Sequence, residues 1–255
     1  MIAGNDTIAV WFSCGAASAV AAKKTIEQYP NASVKVCNNF ILEEDEDNRR
    51  FLKDVEQWIG QEIVDVRNSK YPNGSVVEVW EKRRYMEGIA GAPCTLELKK
   101  EARRQWQKDN PVDWHVLGFT ADEKDRHDNF VKSELSNLLP VLINLEITKR
   151  DCFNVIREAG IKLPRMYDLH YPNANCPGCV KATSPTYWNH VRKVHPEVFE
   201  HRAIQSRDIG CRLVRVNGER IFLDELDPDA EGRPLQLLQM PECGVFCEEQ
   251  LDLWR

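Results

Sequence analysis

Nowhere in the 255 residues does an unbroken apolar run approach the roughly 18 residues that a membrane span requires. The opening Met1-Ile2-Ala3-Gly4-Asn5-Asp6 lacks the basic start and long apolar stretch of a secretory leader, so the expectation is a cytoplasmic protein with no membrane partner. Excess positive charge is missing too. The chain sets 34 Lys and Arg against 40 Asp and Glu, a formal net charge of −6, which gives no global attraction to nucleic acid. A nucleic-acid partner would need a local patch. There are no internal repeats or low-complexity tracts. Neither GxxxxGK followed by Ser or Thr nor GxGxxG occurs, which excludes a Walker loop and a dinucleotide fingerprint.

What is present is an ordinary globular composition, 42% hydrophobic and 29% charged, long enough for one large α/β domain with or without an appendage. Thr7 to Ser13 is a short β-rich run, and Ala17 to Gln28 reads as a helix. Ser33 to Cys37 and Glu62 to Val66 are further strands around a helix at Asp47 to Ile59, whose Phe51, Val55 and Trp58 share a face. Helices follow at Ser75 to Tyr85 and Thr95 to Gln107, then a buried strand at Trp114 to Phe119. Leu138 to Leu145 is Pro-interrupted and reads as an edge strand or the approach to one, and Thr148 opens a helix that Gly160 closes. The alternation predicts an α/β fold with an open, doubly wound, mostly parallel sheet. Proline becomes frequent after Leu163, so the expected division is a nucleotide-binding domain over 1–160 and a Cys-rich region over 161–255 packed over the active site.

Between the first strand and helix lies Ser13-Cys14-Gly15-Ala16-Ala17-Ser18, almost bare of side chain. In an open parallel sheet this position faces the ligand crevice. Gly15 permits close backbone approach, the first helical N–H groups are donors without partners, and Ser13 and Ser18 add hydroxyls. The reading is either a phosphate cradle or a plain strand-to-helix turn. Lys99, Lys100, Arg103 and Arg104 form a basic helix face, suited to an anion or simply solvated. The acidic run Glu43-Glu44-Asp45-Glu46-Asp47 reads as a solvated loop, with Mg²⁺ coordination as the alternative.

Nine cysteines without a secretory leader point to thiols, metal ligands or catalytic groups rather than disulfides. Cys14, Cys37 and Cys152 lie in apolar contexts and read as core, while Cys211 has no assigned role. Cys176-Pro177-Gly178-Cys179 has the spacing with which two thiolates grip one metal or cluster. After it, Tyr187 to Lys193 mixes aromatic and basic residues, but Trp188, Val191 and Phe199 are spaced as one buried face.

In SCGAASAV, PCTLELK at 93–99, LGFTADEKDR at 117–126, CPGC at 176–179 and ECG at 242–244, taken in that order, the chain resembles the phosphoadenosine-phosphosulfate reductase family. That family lies within the wider adenine nucleotide alpha-hydrolase group, which also holds the PP-loop ATP pyrophosphatases. The resemblance implies that Ser13, Gly15 and Ser18 hold nucleotide phosphate, that Lys99 and Arg126 face a phosphate or sulfate, and that Glu123 orients the loop carrying Arg126. It implies a 4Fe–4S cluster on Cys94, Cys176 and Cys179, with one iron open or with a fourth thiolate from Cys243 or Cys247. A structural Zn²⁺ on Cys176, Cys179, Cys243 and Cys247 is the alternative, followed by uncommitted thiols or a redox pair. It also implies Cys243 as the nucleophile toward sulfonucleotide sulfur. Three places depart from the pattern: Pro93-Cys94 stands where cluster-bearing relatives carry a Cys-Cys pair, Ala16 and Ala17 stand where the pyrophosphatases carry an Asp, and Phe246-Cys247 replaces a His.

The implied function is thiol-dependent reduction of an adenine sulfonucleotide, with an external thiol reductant. The first alternative is an ATP-dependent sulfurtransferase that uses the cluster, a sulfur donor and Mg²⁺ with its nucleotide, and acts on a nucleic acid or nucleotide. The second is a non-catalytic nucleotide- or metal-binding module.

Overall fold

Thr7–Trp11 forms β1, buried from Ile8 onward, as a strand covered on both faces must be. It pairs in parallel with β2 (Ser33–Asn38), registering Thr7 with Ser33 and Trp11 with Cys37. On its other side it pairs in parallel with β4 (Trp114–Val116), and β2 carries the two-residue β3 (Val64–Asp65). The sheet order is β3-β2-β1-β4, all parallel, which establishes an α/β architecture with a parallel central sheet. The chain steps outward from β1 to β3 and then returns to the opposite side of β1. The β1/β4 junction is therefore the topological switch point, where a crevice opens beyond the strand ends.

The computed structural model describes residues 4–88, 91–133 and 135–235, and they divide into two compact units interleaved along the chain. The first takes residues 1–40, 46–69 and 101–165 and contains the sheet. Its helices are α1 (Ala16–Gln28), α2 (Asp47–Ile59), α5 (Ala102–Asp109), α6 (Lys124–Ser133), α7 (Val141–Asn144) and α8 (Lys149–Glu158). The Ala-rich face of α1, with Ala19, Ala21 and Ala22 fully buried, lets the helix lie close on the strands. Its core joins Ile8, Val10 and Val36 of the sheet to Val20, Phe51, Val55, Leu142 and Ile156.

The second unit takes residues 41–45, 70–100 and 166–255. It carries α3 (Val76–Arg83), the short α4 (Pro93–Thr95), α10 (Pro185–Val194), α11 (Pro196–Ile209) and an antiparallel hairpin of β5 (Val214–Val216) and β6 (Glu219–Ile221). The chain enters its last stretch within α9 (Arg165–Asp168). A separate core is built on Trp80, Met86, Leu98, Tyr187, Trp188, Val191, Phe199 and Leu213. Trp188 and Val191 are wholly buried, as their spacing predicts. None of the described helices is long and apolar enough to cross a membrane.

One expectation is resolved and two are corrected. Leu138–Leu145 is the approach to an edge strand and not the strand itself: Leu138 bridges in parallel to His115, and α7 follows, because Pro140 has no N–H to continue a ladder. The helix expected from Thr95 to Gln107 is interrupted by a π-helical segment, Leu96–Glu101, which buries Lys99 and Lys100, so these two do not belong to a solvated face. The acidic run is not simply solvated either. Glu43 accepts from Ser75 Oγ (2.6 Å) and the Val76 N–H (2.8 Å) at the start of α3, and Asp45 is buried. In the other unit Asp47 grips Arg50, whose guanidinium holds its carboxyl below the usual carboxylate range, and only Glu46 stands well out in solvent.

Candidate functional site

At the switch point the chain leaves β1 with the Phe12 N–H donated to the Cys37 carbonyl at 2.8 Å, while Asn38 Nδ2 donates to the Phe12 carbonyl at 2.8 Å. Cys14 then takes φ 55°, a left-handed conformation that a side-chain-bearing residue adopts only under constraint. Gly15 caps α1 and, having no side chain, places no cap of its own on the amides that open the helix. Those N–H groups are the donors a phosphate uses. Ser18 Oγ donates to the Gly15 carbonyl (3.0 Å) and accepts from the Ser13 N–H (3.1 Å) and Ser13 Oγ (3.3 Å). Ser13, Gly15 and Ser18 are thus one hydrogen-bonded loop.

The segment after β4 closes on that loop. A Cβ added at Gly118 would stand 2.8 Å from Ser18 N and 3.1 Å from the Ala17 carbonyl carbon, both backbone atoms that cannot swing aside. Only glycine lets the two strand-end loops meet. Beyond it, Thr120 and Glu123 form a reciprocal cap, with Glu123 Oε2 accepting from Thr120 Oγ1 at 3.1 Å. Glu123 Oε1 pairs with Arg126, whose guanidinium lies 5.2 Å from the Phe119 ring centre. Glu123 and Arg126 are therefore coupled.

The second unit gathers the other predicted residues. Cys94, Lys99, Cys176 and Cys179 line one cavity together with Thr95, Lys181, Trp80, Ile41, Val76, Gly178 and Val180. Cys94 arrives on the single turn of α4 and Lys99 on the π-helical segment, a distortion common at functional sites. Lys99 Nζ lies 3.9 Å from Glu44 Oε1, with both side chains less than a tenth exposed. Cys176 and Cys179 sit on a turn that Gly178 makes at φ 67°, and the Cys179 N–H donates to Tyr187 Oη at 2.9 Å. Among the described residues, no group of three or more His, Cys, Asp or Glu is drawn tightly enough to hold a single metal ion. The three thiols border one cavity.

Cys243 and Cys247 lie outside the described residues. Cys14, Cys37 and Cys152 are buried as expected. Burial pushes the Cys37 and Cys152 thiols up to about 12, which leaves them unreactive near neutrality. Cys211 Sγ donates to the Glu87 carbonyl at 3.4 Å. Sequence reading overlooked Trp80, Lys181 and Arg202 beside the thiols. The available signal was Arg202 placed four residues after Val198 on an otherwise apolar helix face.

No family model and no curated protein sequence matches the chain. Among solved structures the chain is similar to the U34-tRNA thiolase NcsA from Methanococcus maripaludis with its [4Fe-4S] cluster, at 14% identity and a TM-score of 0.48 over 94% of this chain and 80% of that one. The strand order itself, and not this likeness, establishes the architecture.

Proposed function

We propose that this chain is an adenine-nucleotide-binding enzyme of sulfur chemistry, specifically an ATP-dependent sulfurtransferase that modifies a nucleic acid or nucleotide with a 4Fe–4S cluster on Cys94, Cys176 and Cys179. The observation that carries the reading is the meeting of these three thiols, from two distant stretches of sequence, on one cavity with Lys99. Three thiols on one cavity wall suit an iron–sulfur cluster, which Cys thiolates hold, whereas a structural zinc ion would need four ligands closed on one point. Cys94, Cys176 and Cys179 would hold the cluster, which, when bound through these three alone, would supply a metal centre able to take an exogenous sulfur ligand.

The chain's own residues have distinct tasks in this reading. Ser13, Gly15, Ser18 and the opening amides of α1 bind phosphate, and Glu123 holds Arg126 ready as a cation for it. Lys99 and Lys181 put positive charge on the wall of the thiol cavity. Net charge gives no help with a polyanion, so a nucleic-acid acceptor must be met by local cations.

A second reading, reduction of an adenine sulfonucleotide with Cys243 as nucleophile, is favoured by Ala16 and Ala17, which leave the phosphate loop without an acidic residue. The test is iron, acid-labile sulfide and zinc analysis of protein purified without oxygen, followed by two assays on that preparation. Iron and sulfide in a cluster ratio are expected, with loss of both in Cys94→Ser, Cys176→Ser and Cys179→Ser. One zinc and no iron overturns the cluster. Pyrophosphate release from ATP that depends on RNA or DNA supports sulfur transfer, whereas sulfite release from a sulfonucleotide replaces it with the second reading.

A further inference from the structure

Beneath the CPGC turn lies a charge that thiol ligation does not itself require. Arg202, in the middle of α11, is 4% exposed. Its Nε–H donates to the Gly178 carbonyl at 3.4 Å, its Nη1–H donates to Gln205 Oε1, and its guanidinium carbon lies 4.4 Å from the centre of the Trp80 ring. Every one of these partners is neutral, and among the described residues no carboxylate pairs with it. Glu43 is near enough to be felt, but its oxygens are engaged by Ser75 Oγ and the Val76 N–H. Burial alone works against the charged form, with Cys176 the largest opposing influence, followed by Glu43 and then Cys94. Arginine does not escape by losing its proton, so a buried guanidinium needs an anion.

Trp80 poses a matching demand. It is 2% exposed, it lines the thiol cavity, and its Nε1–H has no hydrogen-bond partner. Buried donors are rarely left unmade, because the desolvated N–H recovers nothing for the water it lost. One cavity is thus flanked by an unmatched cation and an unmatched N–H donor, and three thiols share its wall. A single occupant satisfies both demands: an anionic, sulfur-rich group held by those thiols.

We infer that Arg202 and Trp80 are positioning residues for the thiolate-held centre, Arg202 supplying the compensating charge behind the CPGC turn and Trp80 an N–H···S hydrogen bond. The inference rests on the cluster reading above and goes beyond it, since that reading assigns ligands only. Positive charge and hydrogen bonds near cluster sulfur favour the more negative, reduced state. Removing either must therefore drive the reduction potential more negative.

The experiment is a spectroscopically monitored redox titration of iron-loaded wild type, Trp80→Phe, Arg202→Lys and Arg202→Met. Trp80→Phe keeps the aromatic volume and is expected to shift the potential negative at unchanged iron content. Arg202→Met is expected to shift it further or to lose iron, while Arg202→Lys stays near wild type. A Trp80→Phe potential equal to wild type, or an Arg202→Lys shift as large as that of Arg202→Met, overturns the inference with the cluster intact. Iron-free wild-type protein overturns the cluster reading and this inference together.

Discussion

His115 is the residue whose protonation should be visible in the stability of the whole chain. It is 2% exposed in β4, accepts the Trp11 Nε1–H at Nδ1 (3.1 Å) and touches Gln107 through Nε2 (3.3 Å). Burial, aided by the nearby Arg103, pulls its pKa down from 6.5 to about 4. The native state thus keeps the ring neutral where the unfolded chain would protonate it. Its contribution to stability is complete above about pH 6.5 and is lost as pH falls toward about 4, a total of about 3 kcal/mol. Urea unfolding at pH 7 and pH 4.5 should show this loss in wild type and a clearly smaller one in His115→Gln. An identical pH dependence in the two proteins would place the acid lability elsewhere. Gly178 makes a complementary point about residues. At its φ of 67° an added Cβ would stand 2.8 Å from Val198 Cγ1, which explains why the CPGC turn has glycine at its third position.

Elements were legible where their ends and faces are written in local chemistry. The predicted span of α2 coincides with the observed one, because Phe51 and Val55 mark its buried face and Gly60 closes it at φ 77°. Thr148 opens α8 as expected, and it and Asp151 cap the helix reciprocally. Where long-range partners decide, local reading fell short. Nothing local says that β3 is only two residues long, that Leu96–Glu101 widens into a π-helix, or that Glu43 leaves the acidic run to cap another element. That cap is testable. Glu43 brings negative charge and two acceptor oxygens to the N-terminus of α3, the helix that carries Trp80. Glu43→Ala is expected to cost about 1–2 kcal/mol in urea unfolding, with Glu43→Gln intermediate because it keeps acceptor capacity but not charge. Equal stability of all three proteins would show that Ser75 suffices as the cap.

At the scale of the whole molecule, the candidate site was more legible as chemistry than as geography. CPGC and the Ser-Gly-Ser loop announce themselves by spacing, but Arg202 and Trp80 become neighbours only through the fold. The same holds for the interleaving of the two units, about which a change in proline frequency says nothing. The chain passes between its two units at residues 40/41, 45/46, 69/70, 100/101 and 165/166. A fragment ending at Arg165 would therefore keep the sheet and all of the first core. It would also keep Val76, Val79, Trp80, Met86 and Leu98 while deleting Met166, Tyr187, Trp188, Val191 and Leu213, which complete their core. Each stranded side chain of this size forfeits about 1.5–3 kcal/mol of burial, and together they leave a contiguous apolar surface. The 1–165 fragment is expected to bind a hydrophobic dye strongly and to associate in sedimentation, while full-length protein does neither. A monodisperse fragment without dye binding would mean that residues 70–100 bury their apolar side chains without the C-terminal part of the chain.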